Sequence, residues 1–295
     1  MRILTVLLVS TSVLVAGTAA AQEMPDDYAA VLKTLRKTGD FKGNVLKVNI
    51  PRNDITVAVQ GVLVPTPFGF GGWIAMTKGD AGLDVMMGDL VLTESEVNPV
   101  MTAVLNAGLD VTALHNHFLF DTPRIYYLHV HGMGTATELA SKIRPAVDLI
   151  GRDPFSGATA PGTELAKGPL DAAALSKIIG FPGEQNGVVY KITIGRADLD
   201  VREHGARIEA RMGLNTWAAF TGSDAEAVVA GDVAMLAAEV TPVLKALRGA
   251  GLQVVALHHH MTTGSPNVFF LHYWGRGDAA TLAKGVRAAL DVLPK

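Results

Sequence analysis

The sequence contains no cysteine and is poor in aromatic and charged residues, which make up 6% and 18% of its 295 residues. Without cysteine there are no disulfides and no thiolate metal sites, so a metal must be bound by histidine, carboxylate, methionine or main-chain oxygen. A formal net charge of −3 provides no basic surface, so we expect no nucleic-acid partner. The 49% hydrophobic content is typical of a globular protein.

Several catalytic motifs are also missing. The sequence has no G-x-S-x-G elbow, no G-x-x-x-x-G-K-[ST] phosphate loop and no H-E-x-x-H helix motif. Chemistry based on a serine nucleophile or on a bound nucleotide is therefore not supported.

The N-terminus has the pattern of a secretory signal peptide. Arg2 precedes an apolar run that starts at Ile3, and three alanines end at Ala21, which predicts a signal peptide over residues 1–21. No later stretch approaches about 18 uninterrupted apolar residues, so we expect no stable membrane insertion after cleavage. The expected location is periplasmic or secreted.

An internal repeat organises the rest of the chain. The phrase E-V-N-P at Glu96 returns as E-V-T-P at Glu239, and A-L-H-N-H at Ala113 returns as A-L-H-H-H at Ala256. We therefore predict a first repeat over 22–150, a linker over 151–168 that is rich in glycine and small residues, and a second repeat over 169–295.

Each repeat alternates short apolar strands with amphipathic helices, and a capping box at Thr135 opens the last helix of the first repeat. Hairpin-spaced strands outnumber strand–helix–strand crossovers. The predicted class is α/β (α+β): two tandem antiparallel-sheet units related by a pseudo-two-fold. Helices would pack on one face, as in ferredoxin-like layering, and we expect the histidines on the other.

Four of the nine histidines lie between Ala113 and His131. They form two H-x-H pairs, His115 with His117 and His129 with His131, on either side of a segment that contains Asp-Thr-Pro. This pattern predicts two paired strands with each histidine pair on one face. Pairing symmetric about Pro123 would place His117 opposite His129 and His115 opposite His131. The clustered imidazoles predict a zinc or copper site.

The second repeat keeps three of these positions, as His258, His260 and His272, while Trp274 replaces His131. Two arrangements remain open: each repeat has its own metal site, or one site forms where the repeats face each other. Three methionines near the histidines are weaker candidates for soft ligands: Met101, Met133 and Met261.

Glu96 and Glu239 are candidate general bases or metal ligands, because the helix that each one opens leads into a histidine strand. The alternative is a helix N-terminal interaction. Asp89 and Asp232 also recur and are further candidate ligands, but each follows a glycine, which is more typical of a turn.

Three further residues have structural interpretations. We expect Trp73 and Trp217, which recur among small and apolar neighbours, to lie in the core. His204, whose repeat partner is Gln60, is expected to be a surface or a structural residue.

The phrases E-V-N-P-V-M, V-T-A-L-H-N-H and Y-Y-L-H-V-H-G, with their second-repeat counterparts, resemble the LppY/LpqO-like family of exported bacterial proteins of unknown function. The resemblance covers nearly all of the chain after the signal. It implies an exported, duplicated domain and supplies no activity. Some members are named as lipoproteins, whereas this chain has no cysteine for a lipid anchor.

The sequence thus predicts an exported protein that binds a transition metal through strand histidines, either as a hydrolytic or redox enzyme or as a metal carrier or sensor. An alternative has no metal and binds a small polar or anionic cell-envelope ligand. In that case Tyr127, Phe270 and Trp274 would provide stacking surfaces.

Overall fold

The computed structural model describes residues 22–152, 160–166 and 168–294. The predicted signal peptide and part of the predicted linker lie outside these ranges. Within them, no helix combines the length and apolar character needed to cross a membrane.

The first repeat contains three helices and nine strands. The helices are α1 (Asp26–Leu35), α2 (Glu94–Asn106) and α3 (Ala136–Val147). The strands are β1 (Gly39–Lys42), β2 (Val45–Pro51), β3 (Val57–Val59), β4 (Val62–Val64), β5 (Gly71–Lys78), β6 (Asp84–Thr93), β7 (Asp110–His115), β8 (Asp121–Thr122) and β9 (Ile125–Gly134).

The second repeat follows the same plan. Its helices are α4 (Ala172–Ile179), α5 (Ala237–Gly249) and α6 (Ala279–Leu290). Its strands are β10 (Gly183–Asn186), β11 (Val189–Gly195), β12 (Arg202–Glu203), β13 (Ala206–Arg207), β14 (Asn215–Gly222), β15 (Ala227–Met235), β16 (Gln253–His259) and β17 (Phe269–Gly277).

Each repeat forms one six-stranded antiparallel sheet, and the two sheets have equivalent strand orders: β1-β2-β5-β6-β9-β7 and β10-β11-β14-β15-β17-β16. The three helices of each repeat pack on one face of its sheet. Leu128 and Val130 of β9 point to that face, where they meet Leu139 and Ile143 of α3 in a buried apolar core. The predicted class, a duplicated antiparallel α/β unit with helices on one face, is confirmed.

The helix-free faces of the two sheets pack against each other. Trp274 of the second repeat meets the rings of Phe68 and Phe118 of the first edge-on, each at 5.8 Å between centroids. On the other side of the interface, Met87 shares a buried apolar cluster with Met212 and other second-repeat residues. The face predicted to carry the histidines is therefore covered by the other repeat.

The register between β7 and β9 differs from the prediction. His115 pairs with Tyr127, and Ala113 pairs with His129, after a bulge between Val111 and Ala113. The predicted pairing failed because it assumed one tight hairpin. Instead β7 ends at His115, and the connection forms β8, which pairs with β3.

The prediction that the histidines share a face survives this shift. Opposed residues beyond the bulge have numbers with an even sum, so His115 and His129 still point to the same side of the sheet. The second repeat repeats the bulge between Val254 and Ala256, beyond which His258 pairs with Phe270.

Candidate metal centre

In each sheet, the candidate site is built on one row of residues that lie directly opposite one another on adjacent strands. In the first repeat the row contains Trp73, Asp89, His129 and Ala113, from adjacent strands. The second repeat has the equivalent row Trp217, Asp232, His272 and Ala256. Directly opposed residues share a face, so both rows point into the space between the sheets.

Six histidines meet at this interface, three from each repeat. His115 stacks on His258, with ring centroids 3.7 Å apart. His117 lies 3.6 Å from His272, and the equivalent pair, His260 and His129, is 4.1 Å apart. The two crossed pairs are related by the pseudo-two-fold. Of the two arrangements that the sequence left open, the structure has the one in which both repeats contribute to one cluster.

Main-chain groups hold several of these rings by one nitrogen. His272 Nδ1 lies 3.3 Å from the Gly231 carbonyl oxygen, and His258 Nδ1 lies 3.3 Å from that of His259. The His129 ring is similarly hydrogen-bonded at the main chain of Gly88. A ring that donates Nδ1–H to a carbonyl presents the lone pair of Nε2, which is how histidine ligands of metals are usually oriented.

Six ring nitrogens of the cluster have no hydrogen-bond partner among the described residues, and two of them, on His129 and His258, lie opposite the nitrogen that contacts the main chain. The six nitrogens are Nδ1 of His115, both ring nitrogens of His117, Nε2 of His129, Nε2 of His258 and Nδ1 of His260. A buried polar atom without a partner costs about 1–3 kcal/mol. Six such atoms would approach the total stability of an ordinary domain, about 5–15 kcal/mol. A bound metal would compensate for much of this cost.

The cluster favours neutral imidazoles. Burial lowers the pKa of all six histidines, and the proximity of other cluster rings lowers it further for five of them, the exception being His258, whose neighbour His259 has that effect. For His258 the pKa falls to about 4. Neutral imidazole is the form that binds metals, so these rings need lose no proton to act as ligands.

Two sets of three nitrogens are close enough to share a metal ion. His115, His129 and His258 form one set, and His115, His117 and His272 form the other, with ligand atoms within 4.8 Å of one another. The Nε2 atoms of His115 and His272 are 3.2 Å apart. Three imidazoles plus an open position suit catalytic zinc, and imidazole also suits copper.

His131, the remaining predicted ligand, does not belong to this cluster. Its Nε2 lies 3.3 Å from Glu203 Oε2, and its Nδ1 lies 4.0 Å from Asp110 Oδ2. His131 opposes Asp110 on the far side of the β7 bulge and so lies beyond the other rings. The cluster therefore contains six of the seven predicted ligands.

Glu96 and Glu239 are bound elsewhere in the structure. Glu96 accepts two hydrogen bonds from Arg52, one from the Thr93 main chain and one from the Gly151 main chain. Glu239 likewise accepts from Arg196 and from the Leu236 main chain. Both carboxylates cap helix N-termini, the alternative considered from the sequence, and the structure does not bring them to the histidines.

Asp89 and Asp232 are the carboxyl groups beside the histidines. Asp89 Oδ1 lies 4.0 Å from His129 Nε2, and Asp232 Oδ2 lies 3.9 Å from His260 Nε2. Burial raises the pKa of Asp89 to about 7 and that of Asp232 to about 8. Each group can therefore exist in both protonation states near neutral pH, as a general acid or base requires.

The turn predicted at these aspartates is wrong, since both lie within long central strands. The glycine before each serves close packing on the helix side of the sheet. A Cβ on Gly231 would lie 2.2 Å from the Tyr273 hydroxyl oxygen, and one on Gly88 would lie 2.8 Å from Val130 Cγ2. The useful signal was the retention of the G-D pair in both repeats.

A cavity of about 610 Å³ opens beside the cluster, lined by His117, His260, His272, both aspartates, Trp73, Trp217, Lys47 and Lys191. Lys47 Nζ lies 4.6 Å from the Trp73 ring, and Lys191 Nζ lies 4.2 Å from the Trp217 ring. Burial is the main cause that lowers the pKa of both lysines, to about 8. The two tryptophans are partly exposed walls of the cavity that also pack against the apolar clusters between the sheets, so they lie at the edge of the core rather than within it.

The other aromatic candidates are buried. Tyr127 stacks on His117 at 3.2 Å and Phe270 on His260 at 3.4 Å, so both support histidine rings from behind. Trp274 belongs to an apolar cluster between the sheets. The three methionines lie outside the histidine groups: Met101 packs against the first core, Met133 is exposed and Met261 joins a second apolar cluster between the sheets.

Comparison with known families finds one family model, matching residues 29–149 and again residues 173–292. Its description is "Domain of Unknown Function (DUF1259)". The chain belongs to this family. The two matches coincide with the two sheets and their helices, so each repeat is one DUF1259 unit. The resemblance to the LppY/LpqO-like family remains a prediction.

Curated proteins give no match to this DUF1259 chain. Solved structures give weak ones. A trimeric bacterial microcompartment shell protein, PduB, is 16% identical over 85% of this chain and 87% of its own, with a TM-score of 0.21. EtuB from Clostridium kluyveri is 10% identical over 87% and 89%, with a TM-score of 0.22. These scores are too low to inform function, so the chemistry rests on the site.

Proposed function

We propose that the protein binds a transition metal, zinc or copper, in the six-histidine cluster between its two sheets. The observation that carries this proposal is the orientation of the rings. His129, His258 and His272 are each held by a main-chain group through one nitrogen, and the other nitrogen points into the cluster. Such an arrangement fixes the tautomer that a metal requires.

The chemistry of the donors narrows the choice of metal. Imidazole suits zinc and copper, whereas calcium and magnesium prefer oxygen ligands. The six histidines come from two repeats, so metal binding would also hold the sheets together.

The metal content of the purified protein tests this proposal. We expect stoichiometric zinc or copper in the wild type and a loss of at least tenfold in affinity in His258→Ala. His259→Ala is the matched control, because His259 is adjacent in β16 and packs against Phe269 rather than the other histidines. Full metal content in His258→Ala and also in His115→Ala, which removes the histidine shared by both three-histidine sets, would contradict the proposal and favour the metal-free binding module.

An enzyme is better supported than a carrier by the cavity. Three of the histidines, His117, His260 and His272, line its wall together with two carboxyl groups whose pKa values are near neutral. A carrier needs only the ligands, whereas a hydrolase needs a metal, a proton donor or acceptor and room for substrate. Asp89 and Asp232 take the acid–base role that the sequence suggested for Glu96 and Glu239.

The lysines suggest the class of substrate. Lys47 and Lys191 give the cavity positive charge beside two tryptophan rings, which suits a small anionic molecule with a flat or apolar part. Hydrolysis of chromogenic carboxylic and phosphoric esters by the zinc-loaded protein would test this activity, with Asp232→Asn expected to lose most of it. No turnover with any ester, despite bound metal, would favour the carrier.

The proposed location is the periplasm or the exterior of the cell. It rests on the signal-like pattern of residues 1–21 and on the resemblance to exported proteins. N-terminal sequencing of the protein from a secreting host should find Gln22 as the first residue. An uncut N-terminus in the cytoplasm would contradict export.

A further inference from the structure

A second group of metal-ligating residues lies at one side of the sheet interface, outside the six-histidine cluster. It consists of His131 from β9 and of Glu203 and His204 from the β12–β13 hairpin, with ligand atoms within 4.8 Å of one another. Each repeat thus contributes to it. His131 lies two residues from His129 on the same strand face, which separates the two groups by about 7 Å.

The carboxylate and the buried imidazole are positioned as ligands. His131 Nε2 and Glu203 Oε2 face each other at 3.3 Å, an ion-pair distance, and neither atom has a hydrogen-bond partner beyond this pair among the residues that the structure describes. Both side chains are buried, with relative exposures of 6% and 2%. The second carboxylate oxygen of Glu203 accepts a 2.6 Å hydrogen bond from Thr263, which fixes its orientation.

His204 completes the group from the solvent side. It lies in the two-residue turn between β12 and β13, where His204 and Gly205 both have positive φ, as a tight hairpin of this type requires. Its main-chain carbonyl accepts a hydrogen bond from the Asp80 main chain. The His204 side chain is exposed, so an ion could enter and keep an open position.

The pseudo-two-fold provides an internal comparison. The repeat places Val59 where Glu203 lies, Gln60 where His204 lies and Trp274 where His131 lies. The same turn is present there, since Gln60 and Gly61 also have positive φ. The backbone of the turn is thus retained, while each of the three ligands is replaced by a residue that does not bind zinc.

The neighbours of the two positions differ in the same way. On one side Gln60 donates a hydrogen bond to Gln253. The residue that corresponds to Gln253 in the first repeat is Asp110, and its carboxylate lies 4.0 Å from His131 Nδ1. One side of the interface therefore has a neutral amide pair over an apolar core, and the other has ionisable groups. Packing alone does not require the ionisable groups, because the first repeat closes the same hairpin with Val59 and Gln60.

We propose that His131, Glu203 and His204 form a second metal site, for a divalent ion of the zinc type, independent of the six-histidine cluster. Two imidazoles and one carboxylate with a fourth position open to solvent is the donor set of catalytic zinc sites.

Calorimetric titration with Zn²⁺ tests this site. The wild type should bind one more equivalent of Zn²⁺ than His204→Gln. This substitution introduces the residue that the first repeat has at the same position, Gln60, and His204 is exposed, so the fold should tolerate the change. Glu203→Gln should lose the same equivalent or at least tenfold in its affinity. Gln60→Ala, at the matching turn, should change neither number. Titration with Co²⁺ should show visible absorption bands that His204→Gln lacks.

Two results would overturn the second site. One is a Zn²⁺ stoichiometry and affinity that are unchanged in both His204→Gln and Glu203→Gln. The other is a wild-type protein whose additional Zn²⁺ binds only at millimolar concentration. His258→Ala separates the two sites. It should lose metal from the six-histidine cluster and keep the equivalent that His204→Gln removes. A failure of either site would therefore leave the other measurable.

Discussion

His115 and His258 occupy the same position in the two repeats, and their rings stack directly on each other, 3.7 Å apart between centroids. The pseudo-two-fold therefore passes between two side chains that could bind the same ion. Each repeat supplies only part of the set of ligands near this axis, so the metal site forms only when the two sheets are packed against each other. Metal binding and the packing of the repeats are thus expected to be coupled.

This symmetry predicts equal effects of equivalent substitutions. His115→Ala and His258→Ala should weaken metal binding by similar factors, on the order of 100-fold or more, since each removes a ligand rather than an outer partner. Affinity measured by competition with a chelator would check this. A large loss in only one of the two variants would mean that the ion lies to one side of the axis.

Much of the fold could be predicted because the repeat is visible in the sequence. Two copies of one unit predict similar folds, and the period-two pattern around His115 and His129 correctly placed both on one strand face. The register could not be predicted. The bulge after Val111 and the extra strand Asp121–Thr122 depend on contacts with other strands, which local patterns do not encode.

The carboxyl groups of the site were harder to predict than its histidines. Asp89 follows a glycine, a pair that usually marks a turn, and the close approach of Val130 and of the neighbouring strand β5 explains that glycine within a strand. The sequence instead favours Glu96, because its helix leads into a histidine strand. Its true partner, Arg52, lies 44 residues earlier, and the pairing depends on the tertiary fold.

Glu96→Gln should lower stability and leave metal binding unchanged. The carboxylate is 5% exposed and pairs with Arg52, which is 1% exposed. Removal of one partner of a buried ion pair typically costs about 3–5 kcal/mol. Urea unfolding and metal content would be measured together, with the exposed Glu138→Gln as control. A loss of metal at full stability would instead support the catalytic or ligand role suggested by the sequence.

The metal-free protein should unfold on mild acidification. The pKa of each clustered histidine is lowered by burial, so in acid the unfolded chain binds protons that the folded chain does not. This contribution to stability is fully present above about pH 6.5 and is lost as the pH falls. At pH 5 the loss of stability amounts to about 2 kcal/mol for each histidine whose pKa is strongly lowered in the folded state.

The two buried aspartates oppose this trend. Their raised pKa values stabilise the folded state as the pH falls, but two carboxyl groups offset only part of the effect of six histidines. The urea midpoint of the chelator-treated protein should therefore drop between pH 7 and pH 5, and the drop should be smaller in His258→Asn. A midpoint that stays constant or rises over this range would contradict the prediction.

The cavity should bind sulfate more tightly at pH 6 than at pH 9. Asp89 and Asp232 ionise at about pH 7 and 8, and Lys47 and Lys191 lose their protons at about pH 8. Across this range the four groups change from a net positive to a net negative charge, so an anion whose own charge is constant should lose at least about tenfold in affinity.

Substitution of one cavity lysine separates this effect from the general charge of the protein. Lys47→Met should weaken sulfate binding at pH 6, because it removes a cation that lies over Trp73 within the cavity. Lys142→Met removes an equal charge from the surface, where Lys142 pairs with Glu138, and should leave sulfate affinity unchanged. Equal losses in both variants at constant ionic strength would show that sulfate responds to net charge and not to the cavity.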